Sequence, residues 1–274
     1  MANRRTAFFI SDRTGITVAM LGHSLLTQFD GIDFRQITVP FVDTVEKARE
    51  TADQINQTRS TDGSRPLVFS TLMDPVISAI VSSADALFLD FFQGFTGPLE
   101  NELGVISSHA IGRSHSLNNS YDYQSRIEAV KYALVHDDGV STRDLNQADI
   151  ILIGVSRSGK TPTCLYMALQ FGIRAANYPL LPEDFGSMTL PGQLKPFGHK
   201  LYGLTIGPER LQQIRNERKP GSRYATLANC QFEIKEAESL MRQEGIRYLD
   251  TTTKSIEEIA ATILHQSNLE RHIY

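Results

Sequence analysis

The stretch ADIILIGVSRSGKTPTCLYMALQFG, residues 148–172, decides the fold. It begins as a near-continuous apolar run, the pattern of a central strand in a parallel sheet. It ends as a segment of helical length, TCLYMALQFG, stopped by Gly172. Between the two, Gly154-x-x-x-x-Gly159-Lys160-Thr161 satisfies the phosphate-loop pattern in full. Glycines let the backbone bend and bring its N–H groups toward phosphate oxygens. The helix that follows presents its positive end to the anion. Lys160 is placed to neutralise a transferring phosphoryl group, and the Thr161 hydroxyl can ligate magnesium. Pro162 fits the first helical turn, where its missing N–H costs nothing.

Two features of the loop stay open. Arg157 can contact a second phosphate group or extend into solvent. Many phosphate-loop enzymes also hold the metal with an Asp ending a neighbouring apolar strand. In KLYGLTIGPE, the candidate strand, Gly207 stands in that place; Glu183 and Asp184 are the substitutes considered.

The rest of the chain is read outward from this unit. TAFFIS, RQITVPF and SRPLVFST read as strands, separated by the helical segments ITVAMLGHSLLTQF and TVEKARETADQINQT. In the second helix Val45, Ala48, Ala52 and Ile55 share a face. This alternation argues for a parallel sheet with packed helices. PVISAIVSSADALFLDFF reads as one buried helix, and QGFTGPLENELG and GRSHSLNNS as loops. YDYQSRIEAVKYALVHDDG is a helix with Tyr123, Ile127, Val130 and Leu134 inward, stopped by Gly139. KLYGLTI and RYLDTT are strand candidates; GPERLQQIRNER, QFEIKEAESLMRQEG and SIEEIAATILHQ are helices, the last with Ser255 and Glu258 at capping-box spacing. The expected class is α/β, with an N-terminal parallel-sheet part, residues 1–145, packed on a phosphate-loop-kinase-like α/β domain, residues 146–274.

Composition narrows the function. Charged side chains nearly balance, 27 basic against 31 acidic, so neither nucleic acid nor a membrane surface is expected as a partner. The two cysteines, Cys164 and Cys230, form no Cys-x-x-Cys pair, which speaks against a disulfide framework or zinc site. The early apolar run AFFI is too short for a signal peptide or membrane span, and a cytoplasmic location is expected.

FFISDRTGITVAMLGHSLLTQF, RPLVFSTL, YDYQSRIEAVKYALVHDDG, ILIGVSRSGKTPTCLYMALQFGIRAANYPL and KLYGLTIGPERLQQIRNERKPGSRYATL closely resemble the bacterial phosphoenolpyruvate synthase regulatory proteins. Those belong with the pyruvate, phosphate dikinase regulatory proteins of plants and bacteria. The similarity runs through to RHIY at the C-terminus. It implies a bifunctional enzyme acting on another enzyme, phosphoenolpyruvate synthase. One activity phosphorylates a target threonine with ADP as donor, leaving AMP and inactivating the target. The other removes that group with inorganic phosphate, releasing pyrophosphate. The resemblance places nucleotide binding on Gly154, Val155, Ser156, Arg157, Ser158, Gly159, Lys160 and Thr161. Lys160 and Thr161 are then catalytic, with Mg2+ at Thr161, and Lys160 serves the β-phosphoryl of ADP. Assembly as a homodimer is left open.

Other residues carry a functional and a plain reading side by side. Asp12, after the first strand, is a candidate general base or metal ligand, or else the N-cap of the next helix. The paired carboxylates of HDDG, residues 136–139, can hold a metal, although Asp-Gly after a helix is also turn chemistry. His115 beside Arg113 is a candidate partner contact or a solvated loop residue. His23 is expected as a packed, hydrogen-bonded helix residue. Arg210, Arg215, Arg218, Lys219 and Arg223 form a phosphate-covering lid or a solvated face paired with Glu209 and Glu217. A small-molecule phosphate-loop kinase and a non-catalytic nucleotide-binding regulator are the competing functions.

Overall fold

The structure is a computed structural model that describes residues 3–108, 120–139, 143–186 and 189–269. It divides into two units, Met1–Ser116 and Leu117–Tyr274. The division falls nearer the N-terminus than the 145/146 boundary read from the sequence. The reason is α5 (Ser120–Val135), whose Ala129 and Ala133 are buried in the second unit's core.

The first unit holds β1 (Asn3–Ile10), β2 (Ile32–Val39), β3 (Leu67–Ser70) and β4 (Leu87–Asp90) in the order β2-β1-β3-β4. All three pairings are parallel. Alternate side chains of β1 enter opposite layers, as a pleated strand requires. Phe8 and Ile10 join Ala48, Ala52 and Ile55 of α2 (Val45–Asp62) and Ile77 and Val81 of α3 (Pro75–Ser82). Ala7 and Phe9 join Val18 and Leu26 of α1 (Ile16–Leu26).

The expected single helix over residues 75–92 is three elements. Asp74 caps α3, the chain then enters β4, and Asp90 caps α4 (Phe91–Leu103). The region read as loop from Gln93 to Gly104 is therefore mostly helix. Gly94, Gly97 and Pro98 signal a break, but the Asp90 carboxylate accepts from the N–H groups of Phe92 and Gln93 and starts the helix regardless.

The second unit holds β5 (Ile150–Gly154), β6 (Ala175–Pro179), β7 (Leu201–Thr205) and β8 (Tyr248–Asp250) in the parallel order β6-β5-β7-β8. Every residue of β5 is buried, as its apolar run predicts. Ile151 and Ile153 face the layer of α9 (Leu227–Gln243); Ile150 and Leu152 face α5, α6 (Lys160–Phe171) and α10 (Ile256–Gln266). Short α7 (Pro182–Phe185) and α8 (Pro208–Arg218) complete the described helices. The Ser255–Glu258 capping box forms as read. On α5 the inward face is rotated from the expected one: Ala129, Tyr132 and Ala133 are buried, while Leu134 is 60% exposed. The side chain of Tyr123 lies outside the described residues.

The fold puts the phosphate loop at a topological switch point. The chain leaves β5 toward β6 on one side, and β7 lies on the other, so the loop sits in the crevice at the carboxyl end of the sheet. Gly154 there has φ 146°, and a Cβ on it would stand 2.1 Å from the Leu204 carbonyl oxygen. Gly154→Ala is expected to lower stability by about 3 kcal/mol or more through strain and overlap. Chemical denaturation checks this; a wild-type midpoint would contradict the geometry.

Candidate active site

The loop from Gly154 to Thr161 is shaped for an anion. Arg157 and Gly159 both take positive φ, 77° and 91°. The N–H groups of Arg157 and Gly159 meet no acceptor among the described residues. Gly159 is the N-cap of α6 and offers no side-chain cap, so the first-turn N–H groups of Lys160 and Thr161 are free for a ligand. The Ser158 hydroxyl is buried without a hydrogen-bond partner. From behind, the Thr251 hydroxyl lies 3.1 Å from the Ser158 carbonyl. The Leu180 N–H donates to the Gly154 carbonyl at 2.9 Å. Val155 is buried, and the Arg157 side chain extends into solvent.

Lys160 is 3% exposed, and its ammonium donates to the Val155 carbonyl at 2.8 Å. Burial pushes its pKa down to about 8, partly opposed by Asp138, Cys164 and Asp137. A cation so placed lacks the counter-charge that a phosphoryl group would bring.

The acid missing from the end of β7 comes from elsewhere. Thr161 Oγ1 donates to Asp137 Oδ1 at 2.7 Å. Asp137 lies in the turn after α5, and that turn is docked on β6 by two backbone bonds. The Asn177 N–H donates to the His136 carbonyl at 2.9 Å, and the Gly139 N–H to the Asn177 carbonyl at 3.0 Å. Asn177 Nδ2 then reaches Asp137 Oδ1 at 2.5 Å, Thr161 Oγ1 at 3.0 Å and Asp138 Oδ1 at 3.3 Å. Asn177 is 2% exposed and its Oδ1 is unpartnered. The His136 ring is held in place: its nitrogens contact the carbonyls of Tyr132 and Arg143 at 2.9 and 2.6 Å, and it stacks on Tyr132. The HDDG turn thus joins the phosphate loop, which its turn chemistry alone did not predict. Asn177 was missed altogether; its signal was the apolar segment AANYP, residues 175–179, which is β6.

The other expectations divide. Asp184 caps α7, accepting from the Leu181 N–H at 2.8 Å. Gly207 donates its N–H to Thr252 Oγ1 at 2.7 Å. Asp12 belongs to the first unit, the loop to the second. It is 7% exposed, accepts from the Met73 N–H at 3.4 Å, and has its pKa raised chiefly by burial. It does not cap α1, whose N-cap is Gly15. His23 is exposed rather than packed, with Nδ1 3.2 Å from Gln36 Nε2. Arg113 and His115 lie outside the described residues. Arg210, Arg218, Lys219 and Arg223 are exposed, whereas Arg215 is wholly buried and cannot belong to a mobile lid. Both cysteines are free and buried. Among the described residues no helix is long and apolar enough to cross a membrane.

The model of the kinase/pyrophosphorylase family matches residues 7–264. The chain belongs to the kinase/pyrophosphorylase family. It is 59% identical to a protein of Aromatoleum aromaticum and 58% identical to one of an Azoarcus species, each match covering 98% of both chains. A Janthinobacterium protein is 54% identical over 98% of this chain and 95% of its own. All three are provisionally named phosphoenolpyruvate synthase regulatory proteins. Membership makes this a kinase-type phosphotransferase, in keeping with the complete phosphate-loop sequence pattern at Gly154–Thr161.

The Lys160 environment sets a pH dependence. Burial favours the neutral amine, so the free protein loses this proton as pH rises through about 8. A bound phosphate favours the ammonium and raises the pKa. A phosphate ligand held against Lys160 would therefore take up a proton above about pH 8 and bind more weakly as pH rises. Calorimetry in buffers of different ionisation enthalpy measures the uptake; proton release would contradict it.

Proposed function

We propose that the chain is a bifunctional regulator of phosphoenolpyruvate synthase. As a kinase it moves the β-phosphoryl of ADP to a threonine hydroxyl of the synthase, leaving AMP and an inactive target. As a pyrophosphorylase it moves that phosphoryl from the threonine to inorganic phosphate, giving pyrophosphate and a restored target. The observation that carries the reading is the anion cradle at Gly154–Thr161, in a family described by both activities.

Both reactions pass a phosphoryl group between two oxygens, so both need the same charge stabilisation. The N–H groups of Arg157, Gly159, Lys160 and Thr161 are proposed to orient the phosphates. Lys160 stands beside the phosphoryl that leaves ADP in one direction, and beside the attacking phosphate in the other. The donor set fits magnesium: Thr161 Oγ1 and Asp137 Oδ1 are hard oxygens 2.7 Å apart, with Asp138 adjacent. Thr161 and Asp137 would hold the ion, which would neutralise charge on the phosphoryl oxygens. Asp12 enters through its chemistry, as a buried carboxyl of raised pKa with no helix to cap, suited to accept the threonine proton. The site of action is the cytoplasm.

The discriminating assay supplies threonine-phosphorylated synthase and inorganic phosphate. Pyrophosphate release is the expected result. No release, with turnover instead on ATP and a small metabolite, would make the chain a small-molecule kinase. Lys160→Ala is expected to slow both directions about 10²–10³-fold, by the scale of a lost oxyanion contact. Loss in one direction only would contradict the shared cradle.

A further inference from the structure

The phosphate loop is held from behind by a side chain outside its motif. Arg215 of α8 is 0% exposed. Its Nη2 donates to Glu233 Oε2 at 2.7 Å and to the Ser156 carbonyl at 3.1 Å. Its Nη1 donates to the Tyr224 carbonyl at 3.1 Å, and its guanidinium carbon lies 3.9 Å from the Tyr224 ring centroid. The Tyr224 hydroxyl in turn donates to Ser156 Oγ at 3.0 Å. Ser156 is therefore gripped at its carbonyl by one residue and at its side chain by the other.

The grip is not what a simple buried ion pair would choose. An Arg–carboxylate pair is strongest as a two-pronged fork. Here Glu233 gives Oε1 to Asn229 Nδ2 at 2.6 Å, and Arg215 Nε is buried without a partner. The guanidinium forgoes the fork and reaches Ser156 and Tyr224 instead.

We propose that Arg215 and Tyr224 are positioning residues that set the Ser156–Arg157 peptide for anion binding. In a trans peptide the C=O and the following N–H point in opposite directions. Drawing the Ser156 carbonyl toward Arg215 turns the Arg157 N–H away from α8 and leaves it without an acceptor among the described residues. The same peptide leads into Arg157 at φ 77°, a left-handed conformation disfavoured for arginine, so it needs an outside constraint. The inference rests on the reading of the loop as a phosphate site.

Two variants test it. Tyr224→Phe keeps the ring beneath the guanidinium and removes only the hydroxyl. The double variant Arg215→Met with Glu233→Gln leaves no buried charge unpaired. ADP affinity is measured by calorimetry, thermal midpoint by calorimetric scan, and backbone order at Arg157 and Ser158 by nitrogen-15 relaxation. Tyr224→Phe is expected to weaken ADP binding about 3–10-fold with a near-wild-type midpoint. The double variant is expected to weaken it about 10–100-fold. In both, order at Arg157 and Ser158 should fall below the rigid value of about 0.85. A lowered midpoint with unchanged ADP affinity and loop order would make the cluster merely structural and overturn the proposal. If the wild-type protein binds neither ADP nor phosphate, the phosphate reading itself fails. The grip is then judged on loop order in the free protein: a fall in both variants supports it, and no change overturns it.

Discussion

The close passage of Gly154 against the Leu204 carbonyl oxygen is the constraint on which the second unit depends. With only 2.1 Å between that oxygen and the place of a Cβ, β5 can turn beside β7 only where residue 154 has no side chain. The turn carries the chain into the crevice at the switch point and directs α6 so that its first N–H groups open there. The Gly154 carbonyl, facing the other way, accepts from Leu180 and ties the end of β6 to the same corner. The path of the loop after β5 thus depends on one close contact.

Electrostatics then tune the corner. Lys160 is drawn into the protein by the helix it begins and is compensated in part by the Val155 carbonyl and the nearby Asp138, Cys164 and Asp137. Those carboxylates arrive on a turn that is bonded to β6 like an extra rung. Asn177 supplies both the rung and the amide that lies among their oxygens. The result is a cation short of negative charge beside oxygens able to accept a metal. Under the proposed function, phosphate and a divalent ion would satisfy both together.

Much of this was legible in the sequence. The strand, loop and helix of residues 148–172 form as read, because burial on both faces and the glycine spacing leave few alternatives. Caps written into short motifs also held, as at Ser255–Glu258. What escaped depended on partners remote in sequence. β4 is a four-residue strand with no fully buried residue, so its alternation merges with the helical apolar runs beside it. In α4, Phe92, Phe95, Leu99 and Leu103 keep helical spacing, but two glycines and a proline obscured it. The sequence leaves Asp137 between a metal-holding carboxylate and a turn residue, because β6, which holds it against Thr161, lies 40 residues further along at Asn177. For Arg215 the sequence leaves a lid cation and a solvated face side by side, because nothing nearby in it tells of Glu233 and Ser156 around the guanidinium.

The central claim is that one anion cradle serves both phosphoryl donation and phosphorolysis. The most direct test is calorimetric titration of ADP with magnesium at rising inorganic phosphate, at fixed ionic strength. A shared cradle predicts that the apparent dissociation constant for ADP rises in proportion to phosphate once phosphate saturates the site. An ADP affinity that stays constant while phosphate binds to the same protein would show two separate sites and contradict the account.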